Sequence, residues 1–244
     1  MTQPYDDPIG RAVFDYHFHQ INQPVIVHSD DFDDDVIETS YLFRSFRQMP
    51  PLEKKALQLC RGTVLDVGAC AGAHTLYLQN KGFEVSAIET SGLCCQVLTD
   101  LGVKEVINQD IFEYSGKTFD TILLLMNGTG IAGNLLGLDN LFKHLKTLLN
   151  PDGQILIDSS DLIFLYEDED GSALIDLNAE TYYGELTFQT EYRTWKGKPF
   201  PWLYVDKETF QMLAEKNGFK INAFFDGTHY DYLAQLTFSN GKTN

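Results

Sequence analysis

The chain has 244 residues and a formal net charge of −17, from 18 Lys and Arg against 35 Asp and Glu. That length suits one domain spanning residues 1–244, and a composition of 43% hydrophobic and 22% charged residues excludes a largely disordered polymer. A pI near 4.5 argues against a broad nucleic-acid surface, which needs Lys and Arg to displace phosphate counterions, and leaves room for a local basic pocket.

The longest aliphatic run, Ile122 to Met126, is far shorter than the ~20 apolar residues a membrane helix requires. The first thirty residues hold no apolar block of the secretory kind, so a cytoplasmic protein without membrane contact is expected, as monomer or homodimer. Cys60, Cys70, Cys94 and Cys95 include an adjacent pair and no C-x-x-C, which predicts buried reduced thiols and no metal site.

In chain order, residues 1–60 are the least patterned. The alternation in His17-x-His19 predicts two imidazoles on one face of a strand, without a third metal ligand. Asp30 to Asp35 reads as a solvated loop, as does Glu167 to Asp170 further on. Tyr41 and Arg44 stand one helical turn apart and would present a phenol beside a cation.

From about residue 62, strand-like and helix-like segments alternate, the pattern of a parallel sheet covered on both faces. Thr63 to Val67 is the first strand, followed by a glycine-rich turn and a helix over Ala73 to Asn80. Phe83 to Ile88 is the second strand. Ser91 caps a helix whose Leu93, Val97, Leu98 and Leu101 share a face, and Glu105 to Asn108 begins the third strand. Phe119 to Met126, apolar almost throughout, reads as a strand buried on both faces. Leucines from Leu138 to Leu149 then recur at helical spacing, until Asn150-Pro151-Asp152-Gly153 turns the chain into the strand Gln154 to Asp158. Glu185 to Trp195 alternates, Lys196-Gly197-Lys198 turns, and a second extended run ends at Val205, which predicts a hairpin insertion. Asp206 caps a last helix, Gly218 ends it, and the strands Phe219 to Phe225 and Tyr230 to Phe238 close the chain antiparallel.

The informative segment is Val64-Leu65-Asp66-Val67-Gly68-Ala69-Cys70-Ala71-Gly72, a strand running into a small-residue turn before a helix. Gly68 and Gly72 remove side chains where a ligand must approach, and the following helix aims free N–H groups at the same place. A dinucleotide fingerprint would put its second and third glycines at Cys70 and Ala73, so NAD is disfavoured. Asp66 is moreover a poor neighbour for a pyrophosphate and a good one for an ammonium group.

On these residues the sequence resembles the class I S-adenosylmethionine-dependent methyltransferases. Their D-x-G-x-G-x-G turn is matched at Asp66, Gly68 and Gly72 and departed from at Cys70. The resemblance implies an S-adenosyl-L-methionine cofactor, its methionine part held by Asp66, Gly68, Ala69, Cys70 and Gly72 and its ribose by Glu89 beside Thr90. It further implies an adenine site at Asp110, Ile111 and Phe112, with Asn127 and Gly128 near the reactive methyl group. Each has an ordinary structural alternative: Asp66 as a helix cap, Glu89 as a solvated strand end, Asp110 as an N-cap, Asn127 as a turn residue. The implied fold is a doubly wound, mostly parallel seven-stranded α/β sheet with an antiparallel last strand. Residues 1–60 would form an N-terminal helical lid, 61–160 the cofactor-binding half, 161–205 an insertion with the hairpin after strand five, and 206–240 the closing helix and strands.

Methyl transfer is an in-line displacement that needs alignment in a dry pocket and no nucleophilic residue, so no catalytic side chain is singled out. Residues 1–60 and the hairpin are expected to select the acceptor, with Tyr41, Arg44 and Trp202 as candidate contacts. The hairpin aromatics Tyr182, Tyr183, Tyr192, Trp195, Trp202 and Tyr204 suit either a cationic acceptor or packing. A small-molecule methyltransferase is the leading expectation; a methyltransferase for a protein or nucleic acid, or a silent cofactor-binding module, are the alternatives.

Overall fold

A computed structural model describes residues 7–166 and 181–239. The chain divides into two compact units, the first made of residues 1–50, 57–116 and 187–200 and the second of the remainder.

The first unit opens with α1 (Pro8–His19), which Asp7 caps and Pro8 starts, its fixed φ suiting the first helical position. Strands β1 (Val25–Ser29) and β2 (Asp35–Ile37) follow, then the short helix α2 (Thr39–Leu42). Helix α3 (Pro51–Leu59) runs from the second unit into the first. The alternation predicted from residue 62 is then met in turn by β3 (Val64–Val67), α4 (Ala73–Asn80), β4 (Val85–Glu89), α5 (Gly92–Asp100) and β5 (Val106–Asn108). These strands pair in parallel, Val64 opposite Val85 and Ala87 opposite Val106. Every residue of β3 is buried, as expected of a strand covered on both faces.

The second unit holds β6 (Phe119–Leu124), α6 (Leu135–Leu148) and β7 (Leu149–Ser160), with β6 and β7 parallel. Strand β8 (Glu185–Tyr192) and β9 (Trp195–Lys196) return largely to the first unit, and β10 (Phe200–Leu203) leads back to the second. Helix α7 (Lys207–Lys216), capped by Asp206, precedes β11 (Phe219–Asp226) and β12 (Asp231–Phe238). β12 is antiparallel to both β7 and β11. The seven strands β3 to β7, β11 and β12 make up the mostly parallel sheet with antiparallel last strands. The core of the second unit centres on Phe142, Phe210, Phe219 and Tyr232, all 0% exposed, with the Phe142 and Phe210 rings edge to face at 5.4 Å.

Several expectations need correction. His17 and His19 lie on helix α1, where residues two apart point to different faces, and His17 bonds Asp100 at 2.7 Å. Residues 7–60, expected to be helical, are not purely so, since they contain β1 and β2. Asn150-Pro151-Asp152-Gly153 is no separate turn, because β7 runs through it from Leu149. The hairpin turns at Arg193, which adopts φ 58, so that Tyr192 faces Trp195 across the β8–β9 pair. β8 also pairs antiparallel with β1, Ile26 opposite Glu191 and Ser29 opposite Phe188, while β1 pairs with β2. The two segments expected to select the acceptor therefore belong to one small sheet. Glu167 to Asp170 lie outside the described residues.

Candidate active site

At the end of β3 the chain reverses within five residues. Gly68, Cys70 and Gly72 all have positive φ, at 73°, 49° and 80°. A Cβ on Gly68 would meet nothing within 4 Å, so the turn is open in front of it, whereas one on Gly72 would come within 2.8 Å of Leu98. The first glycine leaves room for a ligand and the second lets α4 approach α5. Cys70 holds a backbone conformation that costs an L-residue ~1–2 kcal/mol, and a specific bond holds it there: its N–H donates to Glu89 Oε2 at 2.9 Å.

Glu89, the last residue of β4, thus ties its strand to the turn. Its Oε1 accepts the Ser91 N–H at 2.9 Å and the Thr90 hydroxyl at 3.4 Å. Burial pushes its carboxyl above the usual range and the charge of Asp7 adds to this, against the bonds from Ser91, Cys70 and Thr90. These bonds, with a further one from the Thr90 backbone, fix the orientation of the carboxylate.

Asp66 is 2% exposed, and its carboxylate accepts the Thr75 hydroxyl at 2.5 Å, joining β3 to the first turn of α4. Burial raises its carboxyl, partly opposed by the neighbouring His74 and by the bonds from Thr75. The carboxylate is turned into the helix, which is the capping alternative. Asp110 likewise caps, Oδ1 accepting the Phe112 N–H at 2.9 Å; Ile111 is buried, while the Phe112 ring is 37% exposed.

Tyr41 and Arg44 do meet: the guanidinium lies 4.4 Å from the Tyr41 ring centroid and donates to the Tyr41 carbonyl at 3.0 Å. Arg44 is only 3% exposed, however, and its other arm points at Nε2 of His74, 3.4 Å away. The cation faces the start of α4, which makes it part of the turn's foundation.

In the second unit, the loop after β6 carries two consecutive residues at positive φ, Met126 at 68° and Asn127 at 59°. Asp158, near the end of β7, secures both flanks by accepting the N–H groups of Met126 at 3.1 Å and Gly128 at 2.8 Å. The Asn127 side chain donates to the Leu203 carbonyl at 3.0 Å and accepts from the Ser159 hydroxyl at 3.3 Å. Gly128 is buried against Leu124, where a Cβ would come within 2.6 Å. Asn127 and Gly128 therefore shape the loop, and the side chain it exposes is Met126. Trp202 lies flat against Gly130, a Cβ there falling 2.0 Å from its ring. Of the other hairpin aromatics, Tyr182 donates to Asp206 and Tyr183 to Asp161, both at 2.6 Å, while Tyr192 is fully buried. These are packing and anchoring roles.

Sequence reasoning missed Asp158, Asp7 and the link through Ser91. The first carried a legible signal, an acid ending the apolar strand Ile155–Ile157. The others depend on a contact between residues 84 apart, which local patterns do not encode.

No family model and no curated protein matches the chain. Among solved structures, an S-adenosylmethionine-dependent methyltransferase from Bacteroides fragilis, in complex with S-adenosyl-L-homocysteine, is 46% identical. The match covers 98% of both chains with a TM-score of 0.91. The CcbJ methyltransferase of Streptomyces caelestis is 13% identical over 80% of this chain and 93% of its own, with a TM-score of 0.59. DesVI of Streptomyces venezuelae is 14% identical over 81% and 94%, with a TM-score of 0.56; these two share the fold. The chain belongs to the class I S-adenosylmethionine-dependent methyltransferases. It is an enzyme of that type, and S-adenosyl-L-methionine is its cofactor. The residues of the turn fit that group, since the space before Gly68 is open, the N-terminus of α4 follows, and an oriented carboxylate stands alongside.

Proposed function

We propose that this enzyme methylates a small-molecule acceptor, with the donor held by the turn of Gly68, Ala69, Cys70 and Gly72, by Glu89 with Thr90, and by Asp110, Ile111 and Phe112. The observation that carries the donor site is the bond from the Cys70 N–H to Glu89, because it fixes an acid and the open turn in one rigid arrangement. Glu89 accepts from the ribose hydroxyls, Phe112 offers its exposed ring to the adenine, and the positive end of α4 favours the carboxylate of the methionine part. Asp66 acts by holding α4 in place. The cofactor supplies an electrophilic methyl group on a sulfonium; the protein's contribution is to align an acceptor in line with it and exclude water.

Acceptor selection falls to the small sheet of β1, β2 and β8, since the strand-end acids serve the donor. The net charge of −17 favours a small molecule over a nucleic acid. The test incubates the enzyme and methyl-tritiated S-adenosylmethionine with a desalted cell extract plus its small-molecule fraction, followed by acid precipitation. Label is expected in the soluble fraction as a new methylated metabolite. Enzyme-dependent label confined to precipitated protein or nucleic acid would overturn the assignment.

A further inference from the structure

One acid outside every cofactor motif bears directly on Glu89. Asp7 caps α1, its Oδ1 accepting the Gly10 N–H at 2.8 Å, while its Oδ2 accepts the Ser91 hydroxyl at 2.5 Å. Ser91 in turn caps α5, its Oγ accepting the Cys94 N–H at 3.1 Å, and its own N–H donates to Glu89. A single carboxylate thus sits at two helix N-termini, where the positive ends of both dipoles favour it. Gly10 shows how closely the parts meet, since a Cβ there would lie 2.1 Å from Asp7 Oδ2 and 2.2 Å from Ser91 Oγ. At the other end the same helices are joined by His17 and Asp100, so α1 and α5 run parallel and are fastened at both ends. Between the ties, Val13 is buried against Cys94, Val97 and Ala71 of the cofactor turn.

We propose that Asp7 is a positioning residue of the cofactor site: through Ser91 it fixes the Glu89 carboxylate, and by its charge it sets the pH at which that carboxylate holds the cofactor. The inference rests on the reading of Glu89 as the ribose acceptor. Among the described residues, the titratable groups facing Glu89 are Asp7 at the start of α1, Cys70 from the turn, and Cys94 and Cys95 from α5. Burial pushes the Cys95 thiol up to about 11 and the Cys94 thiol well above its usual value, so both are neutral below pH 8. The charge of Asp7 raises the Glu89 carboxyl on top of the larger effect of burial. The sign follows. Ionised Glu89 accepts ribose hydroxyls, affinity falls as pH drops through its raised pKa, and removing the Asp7 charge lowers that pKa and moves the loss to more acid pH.

The experiment is calorimetric titration of S-adenosyl-L-homocysteine from pH 8 to pH 4.5 into the full-length wild type, Asp7→Asn, Asp7→Ser and Glu89→Gln. Asp7→Ser keeps a helix cap without the charge, which guards against a variant that merely frays α1. Both Asp7 variants are expected to lose at least about threefold less affinity than wild type between pH 8 and pH 5, equivalent to a shift of about half a pKa unit. A purely structural role would weaken binding by one factor at every pH. An acid limb at the wild-type position in both Asp7 variants, while Glu89→Gln binds weakly at every pH, would overturn this inference alone. Wild-type affinity and pH dependence in Glu89→Gln would overturn the reading beneath it, and the inference with it.

Discussion

Replacing Asp66 separates two roles that the sequence left together, an acid that touches the cofactor and an acid that holds a helix. In Asp66→Ala, the Thr75 hydroxyl and the Thr75 backbone bond lose their acceptor, and Thr75 is 0% exposed. Each buried donor left unpaired costs ~1–3 kcal/mol, so after partial relaxation the loss should be about 2–5 kcal/mol. For a chain of this size that lowers Tm by about 5–15 °C. Asp66→Asn behaves differently, because an amide oxygen still accepts from Thr75 while the buried charge is gone. Since burial raises the Asp66 carboxyl, the folded protein binds more protons than the unfolded one, and wild type loses stability as pH rises from about 3.9 through the raised value. Asp66→Asn carries no such loss and should gain on wild type between pH 4 and pH 7 in scanning calorimetry. If Asp66 works by holding α4, Asp66→Asn should bind S-adenosyl-L-homocysteine within about threefold of wild type, well under the tenfold that 1.4 kcal/mol represents. A loss beyond about tenfold in Asp66→Asn at unchanged Tm would refute this, and would mean that the charge itself contacts the cofactor.

Two further perturbations test other parts of the structure. Asp139, 4% exposed, binds Lys143 at 2.5 Å, Lys216 at 3.0 Å and the buried Asn217 amide at 2.9 Å, and these bonds, led by Lys143, hold its carboxyl far below the usual range. Its contribution is therefore present above about pH 4 and lost as pH falls below it. Asp139→Ala should cost about 1–3 kcal/mol in urea unfolding at pH 7, mainly from Asn217 because both lysines are exposed. An equal cost at pH 2.5 would contradict the assignment. Gly130→Ala should displace the Trp202 ring, seen as a changed Trp202 emission in a Trp195→Phe background; an unaltered spectrum would mean that the ring does not rest on Gly130.

Residues 61–160 were legible because their signals are local. The helix Ala73–Asn80 coincides with its prediction, and β4, β5, β11 and β12 fall within about two residues of theirs. The apolar run from Phe119 could hardly be anything but a buried strand. The acids at the strand ends were found by position, yet what they do depends on tertiary geometry: Asp66 turns into α4 while Glu89 turns toward the turn. The N-terminal segment shows where local reading fails. Asp7-Pro8 is a helix start signal, but the histidine alternation drew the reading toward a strand. The misplaced hairpin has a different cause, since β8 is fixed by pairing with β1, whose residues lie 159 to 165 positions earlier in the chain. Arg193 at positive φ gives no warning in composition, because residues of its type seldom occupy that region.

The fastening of α1 to α5 has a consequence for synthesis. Asp7 and Ser91 are separated by 84 residues and His17 and Asp100 by 83. At ~5–20 residues per second, α1 waits about 4–17 s on the ribosome before α5 has been made. A 12-residue helix alone is below the length that is stable in water. Its Ile9, Val13 and Phe14 thus lack their packing partners Cys94 and Val97 through that interval. The corner that seats Glu89 is complete only when α5 arrives, so α1 reaches its final place after β4 has been made.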